Sequence, residues 1–186
     1  MMLNRQEAWE IVTNHTESDS LRKHMLSVEA AMRFYAQKFG EDEEKWAVVG
    51  LLHDFDYEKN PSQEEHPFVG VKILREKGYS EEITRAILSH AEYSGVKPES
   101  LMEKTLCAVD ELCGFITAVA LVRPSRSVMD VEVKSVKKKM KSKAFAANVD
   151  REAIFRGAEL LGIPLEDHIQ NVIDAMRNNA DNLGLA

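Results

Sequence analysis

Four of the six histidines stand where apolar side chains would be expected. His24, His53 and His90 fall on the apolar faces of predicted helices, and His66 falls at a predicted helix start. An imidazole buried without a partner is costly, and a metal ion can supply that partner. A lone histidine of this kind is usually a core residue. Because apolar helix faces pack on one another, three together predict a metal site in the interior.

Two aspartates accompany these histidines in apolar surroundings. Asp54 follows the apolar run 48–52, and Asp110 lies midway along the most apolar predicted helix. Burying a carboxylate is costly unless a cation or hydrogen-bond donors compensate. For Asp110 a second interpretation stays open, a carboxylate bonded to the backbone, to an arginine or to water. Gly114, one turn further along the helix, leaves room for an ion or a substrate.

The elements that must position these residues are predicted to be helices. Five prolines and nine glycines are few for 186 residues, and apolar residues recur at three- and four-residue spacing. The predicted helices span residues 5–14, 19–39, 41–55, 67–77, a segment capped by Ser80 that ends before the turn 93–98, 99–122, 150–161 and 165–178, with a basic segment at 131–145. The fold class is therefore predicted to be all-α.

The composition fits one ordinary globular domain. The chain is 44% hydrophobic and 30% charged, which excludes a disordered or collagen-like protein. No apolar run approaches the about 20 residues of a membrane span and no secretion signal is evident, so the cytoplasm is the expected location. Cys107 and Cys113 point to different sides of a predicted helix, so no disulfide is expected between them.

The ordered set of histidines and aspartates resembles the HD superfamily of metal-dependent phosphohydrolases. The H…HD…D pattern of that family, on an all-helical core, is matched by His24, His53-Asp54 and Asp110. The match covers about the first two thirds of the chain. The resemblance implies an HD-domain helical bundle, with a core at about 18–123 and a helical C-terminal extension at about 124–186, in a single domain over 1–186.

Members of this family with two metal ions carry further histidines, at positions that His66 and His90 resemble. The resemblance implies one or two divalent transition-metal ions, Mn, Fe, Co, Ni or Zn, since imidazole and carboxylate ligands suit these ions. The implied ligands are His24, His53, Asp54, Asp110, His66 and His90. In relatives with one ion, the His66 and His90 positions bind substrate or assist proton transfer. Ala91 replaces a second consecutive histidine of the cyclic-di-nucleotide phosphodiesterases, which counts against that branch.

The implied reaction is hydrolysis of a phosphoester or phosphoanhydride bond in a nucleotide or similar small phosphorylated substrate. Dinucleoside polyphosphate hydrolases and 5′-nucleotidases of the family have a similar outline. A bound metal ion lowers the pKa of water from about 15.7 towards about 7. The implied catalytic residues are Asp54, which would bridge two ions, His66 and His90. Two alternatives stay open: a non-catalytic module that senses a nucleotide, and a nucleic-acid-processing protein that uses the basic segment 134–143.

The basic residues are unevenly placed along the chain. The net charge of −7 argues against a general nucleic-acid binder, and no membrane partner is expected. Segment 123–156 nevertheless carries ten Lys and Arg against four Asp and Glu. A phosphohydrolase needs cations for the phosphate, so the candidate substrate-binding residues are Arg123, Arg126, Lys137 and Lys138. A solvated helix face is the alternative interpretation of this segment.

Four other polar residues receive no catalytic assignment. His15 and His168 fall outside the histidine pattern and are predicted to lie on the surface. Glu92 could orient a ligating histidine, but an exposed position after the helix is favoured. Lys59 follows the His-Asp pair too distantly to be given a role.

Overall fold

The computed structural model describes residues 4–186, and the first three residues of the predicted domain 1–186 lie outside this range. Residues 4–186 form ten α-helices and no strand, so the all-α prediction is confirmed. The helices are α1 Arg5–His15, α2 Asp19–Phe39, α3 Glu43–Leu52, α4 Phe68–Glu76, α5 Glu81–His90, α6 Leu101–Leu121, α7 Val133–Met140, α8 Arg151–Leu161, α9 Leu165–Arg177 and α10 Ala180–Leu183. Short 3₁₀ turns occupy Glu92–Ser94 and Val128–Asp130.

The two longest helices, α2 and α6, contact each other at the centre of the fold. Helix α2 begins at Ser18, whose side chain accepts a hydrogen bond from the Leu21 N–H, and it ends at Gly40 with a φ of 72°. Helix α6 begins at a capping box formed by Ser100 and Glu103. These local signals explain why both helices lie close to their predicted bounds.

Helix α3 is buried on nearly every side. Residues 46–52 are all buried, and the helix packs on α2 and α1. A Cβ atom at Gly50 would lie 2.9 Å from the carbonyl oxygen of Val28, so the glycine allows the backbones of α2 and α3 to approach closely. The residue that follows α3, His53, is therefore held in the interior.

The helices after Pro124 pack on the same core as the earlier ones. Helix α8 contacts α6, and α9 contacts both α2 and α6. At Gly157 a Cβ atom would lie only 2.5 Å from the Cα of Ala108, so α8 lies directly against the backbone of α6. One cluster of buried apolar side chains runs from Ala8 in α1 to Leu185 near the C-terminus.

The surface prediction is wrong for His168, whereas His15 is partly exposed. His168 in α9 is fully buried, where the Tyr35 hydroxyl donates to its Nδ1 at 2.6 Å and its Nε2 donates to the Ala108 carbonyl at 2.9 Å. Burial lowers the pKa of His168, which fits a neutral ring that links α2, α6 and α9. His15 is half-buried, with its ring 5.1 Å from that of Phe55.

Several predicted helix ends also differ from the structure. Helix α3 stops at Leu52, before the predicted 55, because the chain turns there. Helix α7 is shorter than the basic segment 131–145, and the Arg151 guanidinium donates to backbone carbonyls of the loop that follows. Helix α10 was not predicted. Both cysteines are free, and no helix within residues 4–186 is long and apolar enough to cross a bilayer.

The contact between α6 and α8 yields a test of the fold. Gly157→Ala is expected to lower the free energy of unfolding by about 1–3 kcal/mol, because its Cβ would overlap the α6 backbone. Gly114→Ala is the matched control, since its Cβ would meet nothing closer than the Nδ1 of His24 at 4.0 Å. The control should stabilise by about 0.5–1 kcal/mol. Urea unfolding measures both, and equal effects would contradict the close contact.

Candidate metal centre

The His53–Asp54 pair leaves the end of α3 inside the protein. His53 is fully buried, and its Nδ1 lies 2.7 Å from the carbonyl oxygen of Gly50. A carbonyl oxygen only accepts hydrogen bonds, so the Nδ1 of His53 carries the proton. The Nε2 of His53 therefore has a free lone pair in the neutral ring.

The Nε2 of His53 faces two carboxylates. It lies 3.4 Å from the Oδ2 of Asp54 and 3.4 Å from the Oδ1 of Asp110, and within residues 4–186 it has no hydrogen-bond partner. Burial lowers the pKa of His53, but the charges of Asp54 and Asp110 outweigh burial and raise it well above its usual value. The space between these three groups therefore favours a cation, either a proton or a metal ion.

His24 from α2 joins Asp110 from α6 on the same side of Asp54. The Nε2 of His24 lies 2.9 Å from the Oδ1 of Asp110 and 3.8 Å from the Oδ2 of Asp54. The side chains of these three residues are each about a fifth exposed, whereas the side chain of His53 is fully buried. A ligand can therefore reach this group from one side.

A second group forms around the other oxygen of Asp54. Its Oδ1 lies 3.3 Å from the Nε2 of His66 and 3.3 Å from the Nε2 of His90. The Nδ1 of His90 donates to the carbonyl of Ile87 one helical turn earlier. The Nδ1 of His66 lies 2.8 Å from the Oδ1 of Asp56. Both rings thus have their Nε2 atoms directed towards Asp54.

Asp56 is a buried positioning residue that the sequence analysis missed. Its Oδ2 accepts a hydrogen bond from the backbone N–H of Gly70 at 2.7 Å, and a Cβ atom at Gly70 would lie 2.7 Å from the Asp56 carboxyl carbon. Burial lowers the pKa of His66, but hydrogen bonds to Asp54 and Asp56 raise it to about 9. The available signal was a second aspartate two residues after Asp54.

The two central carboxylates are held in their charged form. Burial raises the pKa of Asp54, but the charge of His53 and hydrogen bonds from His66 and His90 hold it well below its usual value. Burial also raises the pKa of Asp110, and His53 again outweighs it and lowers that pKa. The centre therefore attracts positive charge at neutral pH.

These donor atoms can hold divalent metal ions. Two groups of ligand atoms, His24–His53–Asp54 and Asp54–His66–His90, each lie within 4.8 Å of one another. Two atoms that each lie about 2.1 Å from one ion, at right angles, are about 3 Å apart, close to the separations observed here. Three of the histidines bond through Nδ1 to a carboxylate or a backbone carbonyl, as metal-ligating histidines commonly do. Imidazole with carboxylate suits transition metals.

A cavity of about 1070 Å³ adjoins the two groups. The candidate ligands that line it are His24, Asp54, His66, His90 and Asp110. Helix α8 contributes further lining residues, among them Ala153, Arg156 and Gly157, and so does the segment 92–98 after α5. The chain after Pro124 therefore supplies part of the cavity wall.

The rest of the lining carries more carboxylates than cations. The acidic residues beyond the candidate ligands are Glu92, Glu111, Asp150 and Glu159, and the basic ones are Lys97 and Arg156. Arg156 lies 3.3 Å from Asp150 and 3.6 Å from Glu92, so it connects α8 to the segment after α5. Glu92 is exposed, as expected.

The four residues predicted to bind substrate do not line this cavity. Arg123 stands thirteen residues after Asp110, about 20 Å along the direction of α6, and Arg126 lies beyond it. Lys137 and Lys138 lie on α7, where Lys137 forms an ion pair with a glutamate of α9. The structure thus brings together the predicted histidines and aspartates but leaves these cations outside.

Comparison with known proteins agrees with this arrangement. Residues 21–114 match the family model described as HD domain. Ribonuclease Y of Thermosipho melanesiensis is 30% identical over 158 residues, which cover 81% of this chain and 28% of the relative. Ribonuclease Y of Oleidesulfovibrio alaskensis is 30% identical over 98 residues, which cover 52% of this chain and 18% of the relative. The chain thus spans less than a third of either relative, and no solved structure matches it significantly.

The matched segment contains the ligand candidates in the order that the sequence pattern predicts, His24, then His53-Asp54, then Asp110. The structure places these residues at one buried centre, on an all-helical core. The chain therefore belongs to the HD domain family.

Proposed function

We propose that the protein is a metal-dependent phosphohydrolase that cleaves a phosphoester or phosphoanhydride bond of a nucleotide or similar small phosphorylated substrate. The observation that carries this proposal is the position of Asp54, whose two oxygens each face a different set of histidine Nε2 atoms. The unpartnered, fully buried Nε2 of His53 supports a cation there. Membership of the HD family supports a hydrolytic reaction.

The proposed ligands of the ions are His24, His53, Asp54 and Asp110 on one side, and Asp54, His66 and His90 on the other. A bound divalent ion supplies Lewis acidity, which allows water to ionise near neutral pH and offsets charge on phosphoryl oxygens. The chain orients these ligands through the Nδ1 hydrogen bonds of His53, His66 and His90. In the alternative with one ion, His66 and His90 keep a proton beside the Oδ1 of Asp54 and donate it to the leaving group.

The charge of the cavity lining supports a small substrate. A single phosphate group can be balanced by the metal centre and by Lys97 or Arg156. A long polyanion would bring additional phosphates against the exposed lining carboxylates Glu92 and Glu159, which repel them. The proposal therefore assigns the cavity to a substrate with few phosphates.

Hydrolysis of RNA is the second candidate function. It is favoured by the two relatives named Ribonuclease Y, with which this chain shares 30% identity. The basic helix α7 offers a surface for an RNA strand, but α7 lies outside the cavity lining. The other alternative, a module that senses a nucleotide without catalysis, is disfavoured. Such modules tend to lose a metal ligand, and all the candidate ligands are present here.

Asp54→Asn is expected to abolish metal binding and hydrolysis together, because an amide offers one acceptor oxygen where the carboxylate faces both groups. The loss should exceed the about 10- to 100-fold effect typical of residues that only orient a ligand. Elemental analysis after loading with Mn, Co or Ni measures the first effect, and p-nitrophenyl phosphate hydrolysis the second. Asp130→Asn, at an exposed position, is the matched control. Full metal content and turnover in Asp54→Asn would contradict the assignment.

Asp56→Asn is expected to weaken the binding of one ion by about 10- to 100-fold. His66 and Gly70 contact different oxygens of Asp56, and the amide would set an NH2 donor against one of these two N–H groups. Calorimetric titration of the metal-free protein with Mn²⁺ should show one weakened site beside one unchanged site. Gly70→Ala should act in the same way, since its Cβ would displace the Asp56 carboxylate. Unchanged Mn²⁺ titrations in both variants, with circular dichroism confirming the helical fold, would refute this positioning role.

The salt dependence of turnover distinguishes a mononucleotide substrate from an RNA substrate. Hydrolysis of a mononucleotide by the Mn-, Co- or Ni-loaded protein is expected to change little between 50 and 200 mM salt, since few phosphates contact the protein. Binding of a strand across several phosphates would fall by about 10³- to 10⁵-fold over that range. Steeply salt-dependent cleavage of an RNA oligonucleotide, with no mononucleotide hydrolysis, would favour the second function.

A further inference from the structure

Two tyrosines from separate turns line the cavity beside the candidate metal centre. Tyr57 follows the His53–Asp54 pair in the turn after α3, and Tyr93 lies in the 3₁₀ turn after α5, three residues beyond His90. Their side chains are 44% and 43% exposed, respectively. Large aromatic rings usually bury more of their surface, so a ligand that covers them would gain contact area.

The tyrosines are close to the residues proposed to hold metal. The ring of Tyr57 meets the ring of His66 edge to face, with the centroids 5.2 Å apart and the planes at 84°. Tyr93 lines the same cavity as Asp54 and His90. Both rings therefore lie near the point where a phosphate would bind.

The cavity has room and apolar surface for a group beyond the phosphate. Its volume of about 1070 Å³ is at the upper end of the about 300–1,000 Å³ of small-molecule sites. Val96 and Pro98, in the segment that carries Tyr93, and Leu160 from α8 also line it. Glu92 and Glu111 add acceptors for hydroxyl groups of the substrate.

We propose that Tyr57 and Tyr93 bind the base of a nucleoside monophosphate whose phosphate lies at the metal centre. The proposal rests on the phosphohydrolase function proposed above and specifies its substrate class. Aromatic side chains stack on any nucleobase, because every base presents a π-face. The acidic lining favours one phosphate over a chain of them, which selects a mononucleotide rather than a strand.

The test compares adenosine 5′-monophosphate with ribose 5-phosphate, which has the same phosphate and sugar but no base. The Mn-loaded wild type should have the higher kcat/KM for the nucleotide. Tyr57→Ala and Tyr93→Ala should each reduce the ratio of the two kcat/KM values by about 5- to 150-fold, the effect of losing one base-stacking contact. Tyr57→Phe and Tyr93→Phe, which retain the ring, should restore the ratio.

A matched control and a binding measurement separate stacking from general damage. Phe155→Ala removes an aromatic ring of similar exposure from α8, outside the cavity lining, and should leave the ratio unchanged. Calorimetric titration of metal-free protein with adenosine, which carries no phosphate for Asp54 and Asp110 to repel, should show the same loss of affinity in both alanine variants, because stacking on a ring does not require the ion.

The failure of this inference differs from the failure of the proposed function. If wild type hydrolyses neither compound with Mn, Co or Ni, the phosphohydrolase proposal fails. If it hydrolyses both compounds equally well, or if the alanine variants leave the ratio unchanged, hydrolysis stands and the base site is overturned. If kcat/KM for p-nitrophenyl phosphate exceeds that for ribose 5-phosphate by as much as kcat/KM for adenosine 5′-monophosphate does, the tyrosines bind any aromatic group. That result would overturn the assignment to a nucleobase.

Discussion

Burial of the Asp54 carboxylate among imidazole nitrogens is the interaction on which the rest of the structure depends. Asp54 is 16% exposed, and its oxygens face histidines that come from different parts of the chain. A carboxylate in this position is unfavourable unless positive charge lies beside it. The elements that carry the candidate ligands must therefore stay at fixed separations. They are α2, α5, α6, the end of α3 and the turn before α4. Close packing of their apolar faces provides that rigidity.

Two backbone contacts fix those separations. At Gly50, α3 lies against α2, and this brings the end of α3 beside the α2 histidine. At Gly157, α8 lies against α6 at Ala108, two residues before Asp110. The buried His168 of α9 donates to the carbonyl of the same Ala108. The helices that follow Pro124 thus support the part of α6 that carries a candidate ligand, and α8 also completes the cavity.

Apolar spacing could predict most of this fold because it reports which face of a helix is buried. The bounds 19–39 of α2 follow from a serine cap and a terminal glycine, which are local signals. His168 also follows the apolar spacing of α9, so its burial was predictable from the sequence. Asp56, Tyr57 and Tyr93 lie in turns, where spacing does not indicate direction. Only the folded chain shows that the two tyrosines line one cavity.

Charge counted over a segment does not predict which groups meet a substrate. The segment 123–156 carries a surplus of Lys and Arg, yet Lys137 pairs with Glu166 outside the cavity lining. Interactions between exposed charges are screened beyond about 8–10 Å in physiological salt. A phosphate beside Asp54 therefore responds to the charges of the lining, to which that segment contributes Arg156 and its ion-pair partner Asp150. The identity of the lining residues, rather than the regional surplus, determines which anions the cavity accepts.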